Sequence, residues 1–281
     1  MAVTIQDIQQ FVNTLKAISR YDFSQYSEKS LTRRLDKILV DNKMDMRKLV
    51  TKLRKDKSFL EKIVKEITVN TTELFRDPKV WHTLRYDILP EYEEMDSIKI
   101  WHPGCSTGQE VYSMLILLNE MNMFKKTKIW GSDLNIDVLE SAKKGVYKYQ
   151  FNIGYLDNFD KVIKENPKKT DEPYDVEYSK YLEINKAKDT IKVARFLLDK
   201  PVYAKHDLVK DDNIFSVKFD LIICRNVIIY FNHDLQNKVF SLFYDNLNDE
   251  GYLLLGMHET ILGPFASKFD KIGQLYRKRP K

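Results

Sequence analysis

The sequence predicts an α/β protein: a Rossmann-like, doubly wound domain that carries a small inserted β-subdomain and follows an all-α N-terminal domain. Three observations lead there. All nine glycines lie at or beyond Gly104, so the stretch before Pro103, interrupted only by Pro78 and Pro90, reads as helical. From residue 98 onward, short β-prone runs alternate with helical periodicity, as parallel strands joined by crossover helices require. Between about residues 150 and 200 that alternation stops, in a stretch rich in Tyr, Asp and Lys. The expected divisions are a helical domain over 1–69, a linker and connecting helix over 70–90, and the α/β domain over 91–281, with its insertion at about 150–200.

The elements follow in order. Thr4 is a candidate N-cap for a helix over 4–18, with Ile5, Ile8, Phe11, Val12 and Leu15 at helical spacing. A second helix is predicted over 28–42, with Leu31, Leu35, Ile38 and Leu39 turned inward. Its other side carries Lys29, Arg33 and Lys37 at i, i+4 and i+8, with Arg34 beside them. Such a stripe is either a solvated face or a dock for an acidic partner. Short helices over 45–56 and 58–67 complete the domain. Residues 1–69 hold 15 Lys and Arg against nine acidic residues, whereas the remaining 212 sum to −1, so the basic character belongs to this end.

Residues 68–78 offer turn and cap chemistry in Asn70, Thr71 and Thr72, ahead of a helix through Val80, Leu84 and Ile88. Next comes a strand at 98–101, broken by Pro103-Gly104, and then a helical pattern of Val111, Met114, Leu115 and Leu118. A strand, a turn holding Gly104 and Gly108, and a helix start form the nucleotide-binding corner of this fold class. A second strand at 127–132 ends at Asp133, 25 residues beyond Gly108. An acidic residue there suits ribose hydroxyls. A helix over 136–144 stops at Gly145. Within the insertion we expect one helix over 156–165 and a β-like run over 191–197. Strands follow at 202–204 and 219–224, the latter a continuous apolar run of the buried parallel type. A helix over 234–247 precedes two last strands, 252–255 and 271–278, as an antiparallel pair.

Composition narrows the function classes. Hydrophobic content of 43% and charged content of 31% describe an ordinary globular chain without a disordered bias. No apolar run reaches a membrane-helix length, and the N-terminus lacks a secretory pattern, so a cytoplasmic protein is expected. Two cysteines, Cys105 and Cys224, read as reduced thiols. The histidines, His82, His102, His206, His233 and His258, show no ligand spacing, so no metal is expected.

Four features converge on the C-terminal edge of one sheet: Gly104–Gly108, Asp133, Asp207 and Arg225-Asn226. Open α/β sheets bind ligands at that edge. The turn does not match Gly-x-Gly-x-x-Gly, which disfavours a pyrophosphate cofactor. A phosphate-free nucleoside fits better, and S-adenosylmethionine is the common one. Asp133 would take the ribose, Asn226 or Asp207 the adenine edge, and Glu110 the amino-acid end.

Several strings carry a family resemblance along nearly the whole chain: Asn70-Thr-Thr-Glu-Leu-Phe-Arg76, Gly104-Cys-Ser-Thr-Gly-Gln-Glu110-Val-Tyr-Ser113, Ser132-Asp133, His206-Asp-Leu208, Cys224-Arg-Asn-Val-Ile-Ile-Tyr-Phe231 and Leu255-Gly-Met-His-Glu259. The sequence resembles the chemotaxis receptor methyltransferases, the CheR family of protein-glutamate O-methyltransferases. The resemblance implies cofactor contacts from Asn70, Thr72, Arg76, Glu110, Asp133, Asp207, Leu208, Arg225 and Asn226. It implies that Arg76 and Tyr230 flank the transferring methyl group, with S-adenosylhomocysteine as the product. It also implies that the basic helix (Lys29, Arg33, Arg34, Lys37) meets the acidic helices of a methyl-accepting chemotaxis receptor or related signalling protein. A monomer that neither inserts into membrane nor binds nucleic acid is expected.

The sequence departs from the family pattern at Leu74, where an aromatic residue is frequent, at Gln109, where an acidic one is, and at His206-Asp207. The insertion has Gly154 as its only glycine and lacks the glycine-rich loop some members use to grip a receptor's C-terminal pentapeptide. Recognition without that tether is expected. Two alternatives stand beside this reading: a methyltransferase of the same fold with another substrate, and a non-catalytic cofactor-binding scaffold. Neither an Asn-Pro-Pro-Tyr base-flipping motif nor a Pro-Cys pair is present, and both Arg76 and Tyr230 are.

Overall fold

The structure, a computed structural model, describes residues 3–68, 72–165 and 175–280. Four helices come first: α1 (Ile5–Ile18), α2 (Glu28–Asp41), α3 (Met46–Lys55) and α4 (Lys57–Ile67). Thr4 caps α1 through a reciprocal box with Asp7, as its sequence position predicts. Asp45 and Asp56 cap α3 and α4 through side-chain oxygens that accept from Lys48 N and Phe59 N. The inner faces of all four helices close on one core around Phe11, Leu35, Leu49 and Ile63.

Helix α5 (Pro78–Thr83) continues into a wider π-type turn at Leu84–Ile88 and a tight 3-10 turn at Leu89–Tyr92. The predicted connecting helix is thus three geometries in series, because Pro90 lacks the N–H that a regular ladder needs. The main sheet and its crossovers follow as β1 (Ile98–Pro103), α6 (Gln109–Glu120), β2 (Thr127–Asp133) and α7 (Ile136–Lys144). The insertion then supplies β3 (Val146–Lys148), α8 (Gly154–Phe159), β4 (Leu182–Asn185) and β5 (Thr190–Val193). After a helical turn, α9 (Arg195–Leu198), come β6 (Val202–Lys205), β7 (Phe219–Cys224), α10 (His233–Asn246), β8 (Leu247–Leu255), β9 (Phe269–Ile272) and β10 (Leu275–Lys278).

Seven strands make the main sheet in the order β6-β2-β1-β7-β8-β10-β9. The pairs from β6 through β8 are parallel, and β10 pairs antiparallel with both β8 and β9. From β1 the chain winds outward through β2 to β6, then returns to β7 on the other side. The switch point therefore lies between β1 and β7, where the crevice of a doubly wound sheet opens. One face packs under α6 and the insertion around Tyr112, Leu115 and Phe159, and the other under α10 around Trp101, Phe240 and Phe243.

Three sequence expectations need correction. The run over 191–197 is not one strand: β5 ends at Val193, and Arg195–Leu198 turns helically so that Leu197 is fully buried. The helix over 156–165 regularises only to Phe159, then widens at Asp160–Lys164, where the carbonyls of Val162 and Ile163 accept from Arg85 Nη1. The run over 271–278 is split into β9 and β10 by a turn at Gly273 with φ of 63°. The insertion forms a three-stranded antiparallel sheet, β3-β5-β4, whose first strand precedes residue 150. Among the described residues, no helix is long and apolar enough to cross a membrane.

Candidate active site at the sheet edge

A cleft opens at the C-terminal ends of the strands. Its walls come from the glycine turn (Gly104), the end of β2 (Asp133, Leu134), the segment after β6 (His206 to Val209), the loop after β7 (Asn226, Val227, Tyr230, Phe231) and the helical domain (Tyr26, Ile67, Thr68). Of the sequence-nominated residues, the structure brings together Asp133, Asp207, Leu208, Asn226 and Tyr230. Among the described residues, these walls hold two carboxylates and neither lysine nor arginine. A pyrophosphate would be repelled here, whereas a neutral nucleoside with hydroxyl donors fits.

Asp133 is built into the turn. Its Oδ2 accepts from Ser106 N at 2.9 Å and its Oδ1 from Asn135 N at 2.9 Å. Burial pushes its carboxyl above the ordinary aspartate range, and those N–H groups pull in the opposite direction. Gly104 N and Cys105 N both donate to Ser132 O, at 2.7 and 3.0 Å, so the turn is stitched to the neighbouring strand. Gly104 sits at φ 71°, and a Cβ there would come within 2.4 Å of Val227 Cγ2. Only glycine lets the two loops meet this closely.

Glu110 and Arg225 do not line the cleft; they lie behind it, joined. Arg225 Nη1 donates to Glu110 Oε2 at 2.8 Å and to the carbonyl of Arg76 at 3.2 Å, and Nη2 reaches Asp77 Oδ2. With its side chain 1% exposed, Arg225 is a strut between the loop after β7, the start of α6 and the 72–77 linker. His102 Nδ1 stands 3.5 Å from Glu110 Oε1. Burial would raise the Glu110 carboxyl, but the Arg225 charge and His102 together hold it below the ordinary range.

The linker is pinned on both sides of Arg76. Phe75 and Asp77 take φ of 51° and 57°, a left-handed backbone that non-glycine residues seldom adopt. Phe75 is fully buried against Trp81 and Phe159, and its N–H donates to Ser113 Oγ at 2.7 Å. The carbonyl of Arg76 accepts from Trp81 Nε1 at 2.9 Å. Its side chain is 31% exposed and lies 3.7 Å from Glu73. It lines a second cleft with Thr72, Glu73, Thr107, Gln109, Phe151, Asn152 and Tyr155. The insertion braces this cleft: the Tyr155 hydroxyl donates to Thr72 O at 3.1 Å, and that of Tyr147 to Thr107 O at 2.7 Å. Asn70 lies outside the described residues.

Sequence reasoning missed two residues. The Glu259 carboxylate accepts from five backbone N–H groups, those of Gly256, Asn226, Val227, Ile228 and Ile229, at 2.7 to 3.2 Å. It thereby fixes the loop carrying Asn226, at φ 60°, and Tyr230. Glu259 closes one of the strings quoted above, which was the available signal. The other is Tyr26, in the turn before α2, where no motif marked it. On α2, Lys29, Arg33 and Lys37 are exposed, while Arg34 is half-buried.

Comparison with known proteins agrees with this architecture. Residues 6–68 match the family model described as the CheR methyltransferase all-alpha domain, and residues 70–159 and 169–276 match its SAM binding domain. A Pseudomonas putida protein named Cher3 is 32% identical over 263 residues, covering 92% of this chain and 91% of its own. A chemotaxis protein methyltransferase of Borreliella burgdorferi is 34% identical over 215 residues, 73% of this chain and 69% of its own. Among solved structures, SAM-bound CalS10, an amino pentose methyltransferase from Micromonospora echinaspora, aligns over 66% of this chain and 52% of its own. That alignment has 15% identity and a TM-score of 0.35.

Proposed function

The chain belongs to the CheR methyltransferase family, and from that premise we propose that it methylates glutamate side chains on the cytoplasmic helices of a chemoreceptor or related signalling protein. It is an S-adenosylmethionine-dependent methyltransferase. The cofactor supplies a methyl group made electrophilic by its sulfonium. The observation that carries its placement is the cleft with Asp133 and Asp207 in its walls and, among the described residues, no lysine or arginine. In this reading Asp133 holds the ribose, Asp207, Leu208 and Asn226 surround the adenine, and the amino-acid end extends past the cleft walls toward Asn70, Thr72 on the second cleft and Glu110. Arg225 acts through Glu110 and Arg76, whose positions it fixes.

A glutamate carboxylate, with an ordinary pKa of about 4.3, is ionised at neutral pH and needs no general base. The enzyme's work is alignment and exclusion of water. Arg76, its guanidinium half-exposed on a rigidly held backbone, pairs with the incoming carboxylate. The Tyr230 hydroxyl holds the second oxygen from the opposite loop. The exposed Lys29, Arg33 and Lys37, with Arg34, attract the acidic substrate helix. We further assign 1–69, 70–90 and 91–281 as helical domain, connector and methyltransferase domain, acting as a cytoplasmic monomer. A receptor's C-terminal pentapeptide should add nothing to its affinity, which titration of receptor fragments with and without that peptide measures.

The central test supplies methyl-labelled S-adenosylmethionine and receptor cytoplasmic fragments, then treats the product with alkali. Label released as methanol, and lost in Arg76→Ala and Tyr230→Phe, is expected. Alkali-stable label would point to another substrate class.

A further inference from the structure

The helical domain does more than present a basic face, because part of it lines the cofactor cleft. Tyr26 sits in the turn between α1 and α2, and its side chain forms one wall beside Asp133, Leu134, Asp207 and Asn226. Its ring packs edge-on against Phe23 and Phe231, with centroids 4.8 and 5.2 Å away. The backbone is tied as firmly: Tyr26 and Phe231 form an antiparallel bridge, Ser27 N donates to Tyr230 O at 2.9 Å, and Asn232 N to Gln25 O at 2.8 Å. Packing therefore fixes the ring, yet the hydroxyl makes no hydrogen bond to any of the described residues. Tyr26 is half-buried at the cleft wall, so a polar group of a bound ligand can take the place of water at its hydroxyl. Burial pushes its pKa up, and the nearby negative charges of Asp207 and Asp133 push it further, so it stays a protonated donor at neutral pH.

We propose that Tyr26 is a nucleoside-binding residue contributed by the helical domain, its hydroxyl hydrogen-bonding the adenosine moiety on the wall formed with Asp133 and Asp207. The proposal rests on the placement of the cofactor in this cleft. It makes the site complete only when the helical domain is docked. It also links the cofactor to Tyr230, whose carbonyl is held by the residue that follows Tyr26, and to α2, which begins at Glu28.

The test is calorimetric titration of the full chain with S-adenosylhomocysteine, comparing Tyr26→Phe, Asp133→Ala and the unmodified protein. Tyr26→Phe keeps the ring packing, so the melting temperature of the ligand-free protein should stay unchanged while affinity falls about tenfold. In the unmodified protein, ligand should also slow amide hydrogen exchange at Ser27, and less so in Tyr26→Phe. Unchanged affinity in Tyr26→Phe beside a clear loss in Asp133→Ala would overturn the role of Tyr26 alone. Unchanged affinity in both would remove the cleft assignment and the proposal with it.

Discussion

The two loops that meet at the sheet edge are held in different ways. The turn at 104–108 is fixed by its own residues: glycines with positive φ, bonds to Ser132 one strand away, and Asp133 accepting from Ser106. The loop at 225–231 has no glycine and keeps Asn226 at φ 60°. A carboxylate some thirty residues further on, Glu259, gathers its N–H groups. Arg225 then joins the two loops through Glu110. A loop can carry reactive side chains without local turn chemistry when a buried anion substitutes for it, at the cost of depending on one residue.

That dependence can be broken. Glu259→Ala leaves five backbone donors without their acceptor, at a cost of about 1–3 kcal/mol for each that stays buried and unpaired. The largest effect is expected here: a melting temperature lowered by tens of degrees or failure to fold, read by thermal denaturation, with Glu259→Gln intermediate. Arg225→Met removes the tie between the loops and strands Glu110 as a buried unpaired charge, costing about 3–5 kcal/mol in chemical denaturation. Gly104→Ala tests the locally fixed turn. Positive φ and the approach to Val227 should cost about 1–3 kcal/mol, and adding Val227→Ala should return the part due to the clash. If Val227→Ala restores nothing, backbone conformation alone holds that turn.

The smallest effect is titration. Burial raises Asp133 above its ordinary value of 3.8, so on acidification it protonates earlier than a free aspartate and loses acceptor capacity for the ribose proposed to sit on it. Cofactor affinity should begin to fall above that pH. Glu110, held below its ordinary 4.5, contributes stability that is complete above that value and is lost only as pH falls through its lower folded value. Calorimetry and thermal melts across pH 7 to 3 should therefore show binding fail before the fold. The opposite order would mean that the Arg225–Glu110 tie is the weaker of the two.

Much of this edge is legible in the sequence. Thr4, Gly145, the buried run of β7 and the Gly104–Gly108 turn declare themselves because their causes lie within a few residues, in caps, left-handed backbone and hydrophobic period. The basic stripe on α2 was equally plain. The run over 191–197 misled because Arg-Phe-Leu-Leu suits a strand or a helical turn, and only packing of Leu197 decides. The sequence by itself determined the order of elements and the sheet edge to which Asp133, Asp207, Leu208, Asn226 and Tyr230 belong. Tertiary structure decided that Arg225 is a strut between loops, that Glu259 gathers the N–H groups of the loop after β7, and that Tyr26, ahead of α2, lines the cleft at the sheet edge. Each of these depends on groups that are distant in the chain but adjacent in a desolvated interior, and periodicity and local propensity carry no trace of such meetings.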